Sequence, residues 1–344
     1  MKEKIAKIIV ALCMVFIAIG TMIYSRGKIE RTTVYNDDNE TTYSWPLATS
    51  STEDTITHVF ATTFAEQVGK LSDGKIKITV YPQSTLGGDR ELLESCKDKD
   101  IPFVAQSPAT QVTFMPRLCV LDTPCVFDTI EEARAAIDNE AFRSVIDTVY
   151  TDAGYRLLGF ADQGFRIMTS KKEFTGIESF KGQKIRTMEN SFHIQLWKAL
   201  GANPTPMSFS EVYIGLQQGT IDAQENALEI IDSAKLYEQQ KYLINTKHVP
   251  DYISLIVSDE FYNELPKWQQ EIIDEAAVIA QKEARKNADE RYQNRLTMLT
   301  DKGLTYVEID DETWQEMKGK CEPVYEAIRE QAGDELVDLY MNNK

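Results

Sequence analysis

The sequence predicts an α/β fold, and three observations carry the prediction. Strand-like and helix-like segments alternate from Thr57 onward; 344 residues with 42% hydrophobic side chains give room for two domains with buried cores; and one long helical run opens at Pro266. Alternation of this kind packs crossover helices against a sheet.

Taken in order, Thr57 to Leu71 sets Phe60, Phe64, Val68 and Leu71 on one helical face, and Asp73-Gly74 breaks it. Lys75 to Tyr81 alternates Ile76, Ile78 and Val80 as a half-buried strand that Pro82 ends. Leu86-Gly87-Gly88-Asp89 turns into a helix over Arg90 to Lys97, and Ile101 to Gln106 is a short apolar run. Tyr155 to Phe160, Arg166 to Thr169 and Lys184 to Thr187 read as strands, and Ser191 to Leu200 as a helix closed by Gly201. Ser208 and Glu211 have capping-box spacing before a helix over Val212 to Gln218, with Gly219 as its stop. Thr220 to Ala223 is a short strand-like return and Tyr252 to Ser258 an apolar β-rich run. Pro266 suits a first helical turn, and the helix runs to about Leu299. Gly303 ends it, Leu304 to Ile309 is a strand, and the tail from Thr313 is helical.

The formal net charge of -17 excludes a nucleic-acid partner, since phosphate contacts need clustered Lys and Arg. Such a field also repels an anionic ligand, so a site for one must supply its own local positive charge. No metal site is expected: four of the five cysteines (Cys96, Cys119, Cys125, Cys321) lack C-x-x-C pairing, and His58, His193 and His248 lack ligand spacing. Those histidines read as packing or surface residues. Cys119 and Cys125 read as small buried hydrophobes, with pairing open to them in an oxidising compartment.

Lys2, Lys4 and Lys7 precede an apolar stretch from Ile8 to Tyr24, the pattern of an export signal or a single-span membrane anchor. Either places the rest of the chain outside the cytoplasm. Ser25 to about Ser44 is polar and reads as a solvated linker.

No nucleophile elbow, metalloprotease motif, phosphate loop or dinucleotide fingerprint occurs, so neither an enzyme nor a cofactor is expected. Binding chemistry is better represented. Arg166 and Arg186 each sit on or beside a strand amid apolar neighbours, and a guanidinium matches a carboxylate bidentately. The residues alone leave each arginine open to an ion pair or the surface, Phe209 open to core packing, and Asn226 open to a turn.

The segments LGGDRELLE (Leu86–Glu94), VLDTPCVFD (Val120–Asp128), GFRIMTS (Gly164–Ser170), FKGQKIRT (Phe180–Thr187), LGANPTPMSFSEVYIGLQQGTIDAQEN (Leu200–Asn226) and KLYEQQKYLINTKH (Lys235–His248) carry a resemblance. The chain resembles the solute receptors of the tripartite ATP-independent periplasmic (TRAP) transporters, the DctP family, from about Thr57 to about Ala327. The resemblance implies a two-domain periplasmic-binding-protein-like fold with a ligand cleft and a long helix spanning both domains. The expected division is 45–160 for the first domain, 161–260 for the second, and 261–344 for the spanning helix and C-terminal return.

The resemblance also implies a receptor for a small organic acid that works with TRAP membrane subunits. Arg186 matches the arginine that grips the substrate carboxylate, Arg166 a second arginine assisting it, Asn226 the pocket asparagine, and Phe209 an aromatic packing on the ligand. Asp89 and Gln106 fall where other members place variable polar contacts. The family commonly reads D-G-Q-E-N-P where this chain has Asp222 to Ala227 as D-A-Q-E-N-A, which bears on the turn at Asn226. A membrane-anchored ligand sensor on the same fold is the alternative reading, and an extracytoplasmic enzyme the second.

Overall fold

The computed structural model describes residues 34–35 and 41–342. The Ile8 to Tyr24 segment lies outside them. Part of the expected linker is structured: β1 (Val34–Tyr35) pairs antiparallel with the start of β2 (Thr41–Ala48), a strand whose mixed polarity gives no sequence signal.

In the first lobe, β2 pairs in parallel with β3 (Ile76–Tyr81) and β4 (Phe103–Gln106). Helix α1 (Ile56–Leu71), capped by the Thr55 side chain, connects β2 to β3, and α2 (Asp89–Lys97) leads to β4. Gly87, at φ 133°, makes the turn into α2, a conformation that side chains rarely adopt. Helices α3 (Ile130–Asp138) and α4 (Glu140–Asp152), not read from the sequence, are capped by Thr129 and Asn139.

Two strands run from one lobe into the other. The two short strands expected within residues 155–169 are one strand, β5 (Tyr155–Ser170), and the expected run at Tyr252 is the end of β9 (Tyr242–Ser258). They pair antiparallel along their lengths, with register shifts between Leu157 and Gly159, Asp162 and Phe165, and Arg166 and Met168. These bulges break the period of two, which is why the sequence reads as fragments. Gly164 takes φ 81° in one bulge, and Lys247 takes φ 40° on the facing strand.

In the second lobe, β5 pairs with β8 (Ala223–Asn226), which pairs with β6 (Lys184–Thr187), and β6 pairs with β7 (Asn203–Pro206). Helix α5 (Ser191–Ala199) connects β6 to β7, α6 (Val212–Gln218) precedes β8, and α7 (Leu228–Ser233) follows it. The predicted capping box does not form: residues 209–211 make a 3₁₀ turn in which Ser208 caps nothing, its hydroxyl lying 3.2 Å from that of Ser210.

A short helix, α8 (Asp259–Glu264), precedes the long α9 (Lys267–Asp301), with Pro266 as its N-cap. At about 1.5 Å per residue α9 is roughly 50 Å long. It joins two cores. Ile273, Ala276, Ala277, Ala280, Ala284 and Ala288 pack with Phe60, Phe64 and Phe103, while Leu299 packs with Ile167, Leu216 and Leu243. The alanines, spaced by four, bring α9 close to β5. At Gly159 an added Cβ would meet the Gln281 Oε1 at 2.6 Å, the oxygen that accepts from the Phe160 N–H at 3.1 Å.

After α9, β10 (Thr305–Glu308) pairs with the start of β9. The helical tail is three helices, α10 (Asp311–Lys320), α11 (Glu322–Ala332) and α12 (Asp334–Met341), which pack into the largest core. Cys96, Cys119, Cys125 and Cys321 are buried free thiols, and those of Cys125 and Cys321 are neighbours.

Candidate functional site

A narrow cleft, open to solvent and with a cavity volume of about 50 Å³, lies where the long strands cross. Five of the six expected residues line it: Asp89, Arg166, Arg186, Phe209 and Asn226. Gln106 is the exception. It is buried on β4, away from the lining, and both polar atoms of its side chain lack a partner.

Arg186 stands on β6, which presents it at the cleft through parallel pairing with Thr205 on one side and Gln224 on the other. It is buried, and its Nε and Nη2 donate to the Met207 carbonyl at 3.2 and 2.8 Å. Among the described residues no carboxylate forms an ion pair with it. Burial, partly offset by Glu225, lowers its pKa to about 10, so it stays charged at neutral pH.

Arg166, on β5, is engaged quite differently. Its Nε donates to Glu225 at 2.5 Å, Nη1 to Asp251 at 2.9 Å, and Nη2 to the Glu225 carbonyl, the Glu225 carboxylate and the Asn226 Oδ1 at 2.7, 3.0 and 2.9 Å. Of its five protons, one on Nη1 has no partner among the described residues, so its reach toward a ligand is narrow. Asn226 is braced on both sides, its Nδ2 donating to the Gln224 Oε1 at 2.7 Å. Ala223 and Ala227, in place of the family's glycine and proline, leave this segment a regular strand. Phe209 is half-buried and packs against the second-lobe core.

Glu225 joins this network from the side away from the cleft. His248 donates to it at 3.0 Å through Nε2, while its Nδ1 accepts from the Thr246 hydroxyl at 2.8 Å. The Nδ1 of His193 is 3.8 Å from Glu225, too far for a hydrogen bond, and its Nε2 is 3.1 Å from Asp122. Asn190 fixes Asp122, donating at 2.7 Å, and caps α5. Burial raises the Glu225 carboxyl, but Arg166 and then the two histidines outweigh it and hold the group well below its ordinary range. Burial lowers His193, but Asp122 and then Glu225 raise it to about 9.

A histidine raised in this way holds its proton more firmly folded than unfolded. Its stabilisation is complete below about pH 6.5 and disappears as pH rises through about 9. The shift corresponds to roughly 3 kcal/mol. Melting temperatures of the wild type and His193→Gln between pH 6.5 and 9.5 test this, since His248 is common to both. The wild type should lose stability more steeply with rising pH; parallel curves would refute the assignment.

The sequence reading missed Asp251, Gln163, Ser50 and both network histidines. Asp251 accepts from Arg166 and, at 3.2 Å, from the Gln163 Nε2; Ser50 donates to Asp89 at 2.6 Å. A lone serine or histidine in sequence carries no partner information, and these pairs are 23 to 88 residues apart.

The lobes also meet beside the cleft. The Thr52 and Ser233 hydroxyls are 2.7 Å apart, and Arg295 of α9 pairs with Asp54 at 2.6 Å, with Glu229 at 3.2 Å and with Asp232. Among the described residues no His, Cys, Asp or Glu group can hold a metal ion, and no helix is long and apolar enough to cross a membrane.

Comparisons with known proteins agree with this architecture. The profile of bacterial extracellular solute-binding protein family 7 matches residues 47–332. A solute-binding protein of Verminephrobacter eiseniae is 34% identical over 252 residues, 72% of this chain and 74% of its own length. The ectoine-binding periplasmic protein TeaA of Halomonas elongata is 31% identical over 323 residues, 90% of each chain. The crystal structure of the sugar acid binding protein DctPAm of Advenella mimigardefordensis, in complex with galactonate, superposes with a TM-score of 0.85 at 27% identity, covering 88% of this chain and 97% of that one. These likenesses carry the expectation of a two-domain receptor fold with a long helix, and the chain belongs to family 7 of the bacterial extracellular solute-binding proteins, the substrate-binding proteins of TRAP transporters.

Proposed function

We propose that this chain captures a small organic acid outside the cytoplasm and delivers it to TRAP membrane subunits, with Arg186 gripping the ligand carboxylate. One observation carries the reading: Arg186 is a buried, charged guanidinium in the cleft wall whose only hydrogen-bond partner among the described residues is a single backbone carbonyl. A carboxylate is the ligand group that matches its free edge, and a charge-assisted pair is stronger there than in water. Asn226 and the remaining Arg166 proton stand beside that position, and Phe209 offers an apolar face. The galactonate complex of the Advenella protein supports the acid class.

Closure of the two lobes on the ligand is the signal that membrane partners read. A ligand touching both lobes favours the closed form by its differential affinity for it. The N-terminal Ile8 to Tyr24 segment serves export in this reading.

A thermal-shift screen of the full chain against organic acids, with neutral sugars as controls, tests the proposal. A ligand at about 100 times its Kd stabilises by about 2.7 kcal/mol, which raises Tm by several degrees. A shift with acids alone is the expected result. A shift with a neutral sugar and with no acid would overturn the carboxylate reading.

A further inference from the structure

Of the charged side chains that line the first compartment, two have no ionic partner among the described residues, and they have opposite signs. Arg166, Glu225, Asp251, His193 and Asp122 answer one another in a buried network. Arg186 does not belong to it, and neither does Asp89 at the start of α2.

Asp89 accepts one hydrogen bond from the Ser50 hydroxyl, and among the described residues no Lys or Arg ion-pairs with it. Arg186, across the cleft, attracts it only through space. Ser50, Ser51, Thr57, Ser107 and Thr110 line the same cavity with their hydroxyl-bearing side chains. The space also continues past this point, because a second compartment shares Asp89, Arg186 and Phe209 with the first. A ligand anchored on Arg186 therefore extends past the hydroxyls and Asp89 of the first compartment toward a second that Glu91 and Glu189 also line.

We propose that the cleft selects a polyhydroxylated monocarboxylic acid, and that Asp89 is the residue that makes the selection. The carboxylate sits on Arg186, one ligand hydroxyl donates to Asp89, and others exchange hydrogen bonds with the serine and threonine hydroxyls. This rests on the reading of Arg186 as the carboxylate anchor.

Three chemical classes compete for such a wall. A hydroxyl both donates and accepts, and so suits a carboxylate acceptor and neighbouring Ser and Thr hydroxyls together. A second carboxylate cannot donate to Asp89 and meets a like charge at reduced dielectric. Burial already raises the Asp89 pKa, so a dicarboxylate would bind by forcing a proton onto the pair. An ammonium would satisfy the charge of Asp89, but it cannot accept from the Ser and Thr hydroxyls of the first compartment, where the other carboxylate, Asp251, is held by Arg166 and Gln163.

The test is isothermal titration calorimetry on the full chain, wild type and Asp89→Asn, with four-carbon and six-carbon aldonates, dicarboxylates of the same lengths, and zwitterionic amino acids. Melting temperature checks that the near-isosteric variant is folded. The expected result is that an aldonate binds the wild type at least tenfold more tightly than the dicarboxylate of equal length. Asp89→Asn should shrink that preference by about tenfold, and any dicarboxylate binding to the wild type should strengthen as pH falls.

A wild type that prefers a dicarboxylate or an amino acid, or an Asp89→Asn protein with unchanged preference, would overturn the role of Asp89 and leave the carboxylate anchor standing. Binding that survives Arg186→Ala unchanged, or that occurs only with neutral sugars, would overturn the anchor itself and this inference with it.

Discussion

Replacing Arg186 with alanine should lower affinity for the organic-acid ligand by about 100- to 1000-fold. A buried guanidinium making charge-assisted hydrogen bonds to a carboxylate contributes about 3–4 kcal/mol to binding. The folded protein should barely notice the change. Among the described residues Arg186 holds only the Met207 carbonyl, and its removal takes a desolvated charge out of the cleft wall. Arg186→Lys should bind poorly as well, because an ammonium on a flexible stem cannot reproduce the planar fork. Calorimetry on all three proteins measures this, with melting temperature as the control. Equal affinity in wild type and Arg186→Ala would place the anchor elsewhere.

Replacing Glu225 with glutamine should do the reverse and damage the fold before the chemistry. Glu225 is the anion on which Arg166 and His248 converge, with His193 at longer range. A glutamine of the same shape removes the charge and turns an N–H₂ toward donors. Breaking a buried pair by removing one partner costs about 3–5 kcal/mol. At about 2–4 °C per kcal/mol, Tm should fall by roughly 10 °C at neutral pH. The gap between the two proteins should narrow in acid. The folded pKa of Glu225 is depressed, so its contribution is present above the ordinary value of 4.5 and is lost as pH falls through the folded value. A variant melting within a degree or two of the wild type would mean that the network adds little to stability.

The two arginines thus differ in a way that their sequence contexts hide. Each follows an apolar or aromatic residue on a strand, and each matches a family position. Only the tertiary structure shows that one is spent on internal carboxylates and the other is left open to the cleft.

Several features were legible in the linear chain because their causes are local. Pro266 and the alanine-rich run behind it specify the start and length of α9. The turn at Gly87 and the strand over Lys184 to Thr187 follow from glycine geometry and β-propensity. The family segments brought Arg186, Arg166, Asn226, Phe209 and Asp89 together before any distance was known.

Other features depend on long-range pairing, and no local period reports that. Strands β5 and β9 read as fragments because their bulges interrupt alternation, yet each bulge is held by the strand facing it some 80 to 100 residues away. His248 reads as an ordinary histidine until the bulge in β9 brings it to Glu225. Gln106 reads as a polar contact by position, but on β4 opposite Ser254 it is buried and is not among the residues that line the cleft. Ser50, which donates to Asp89 from the loop after β2, had no signal at all. Sequence determined the elements and the charged residues available to the site. Tertiary structure decided which charges cancel one another and which remain for a ligand, because that depends on partners the chain brings together only by folding.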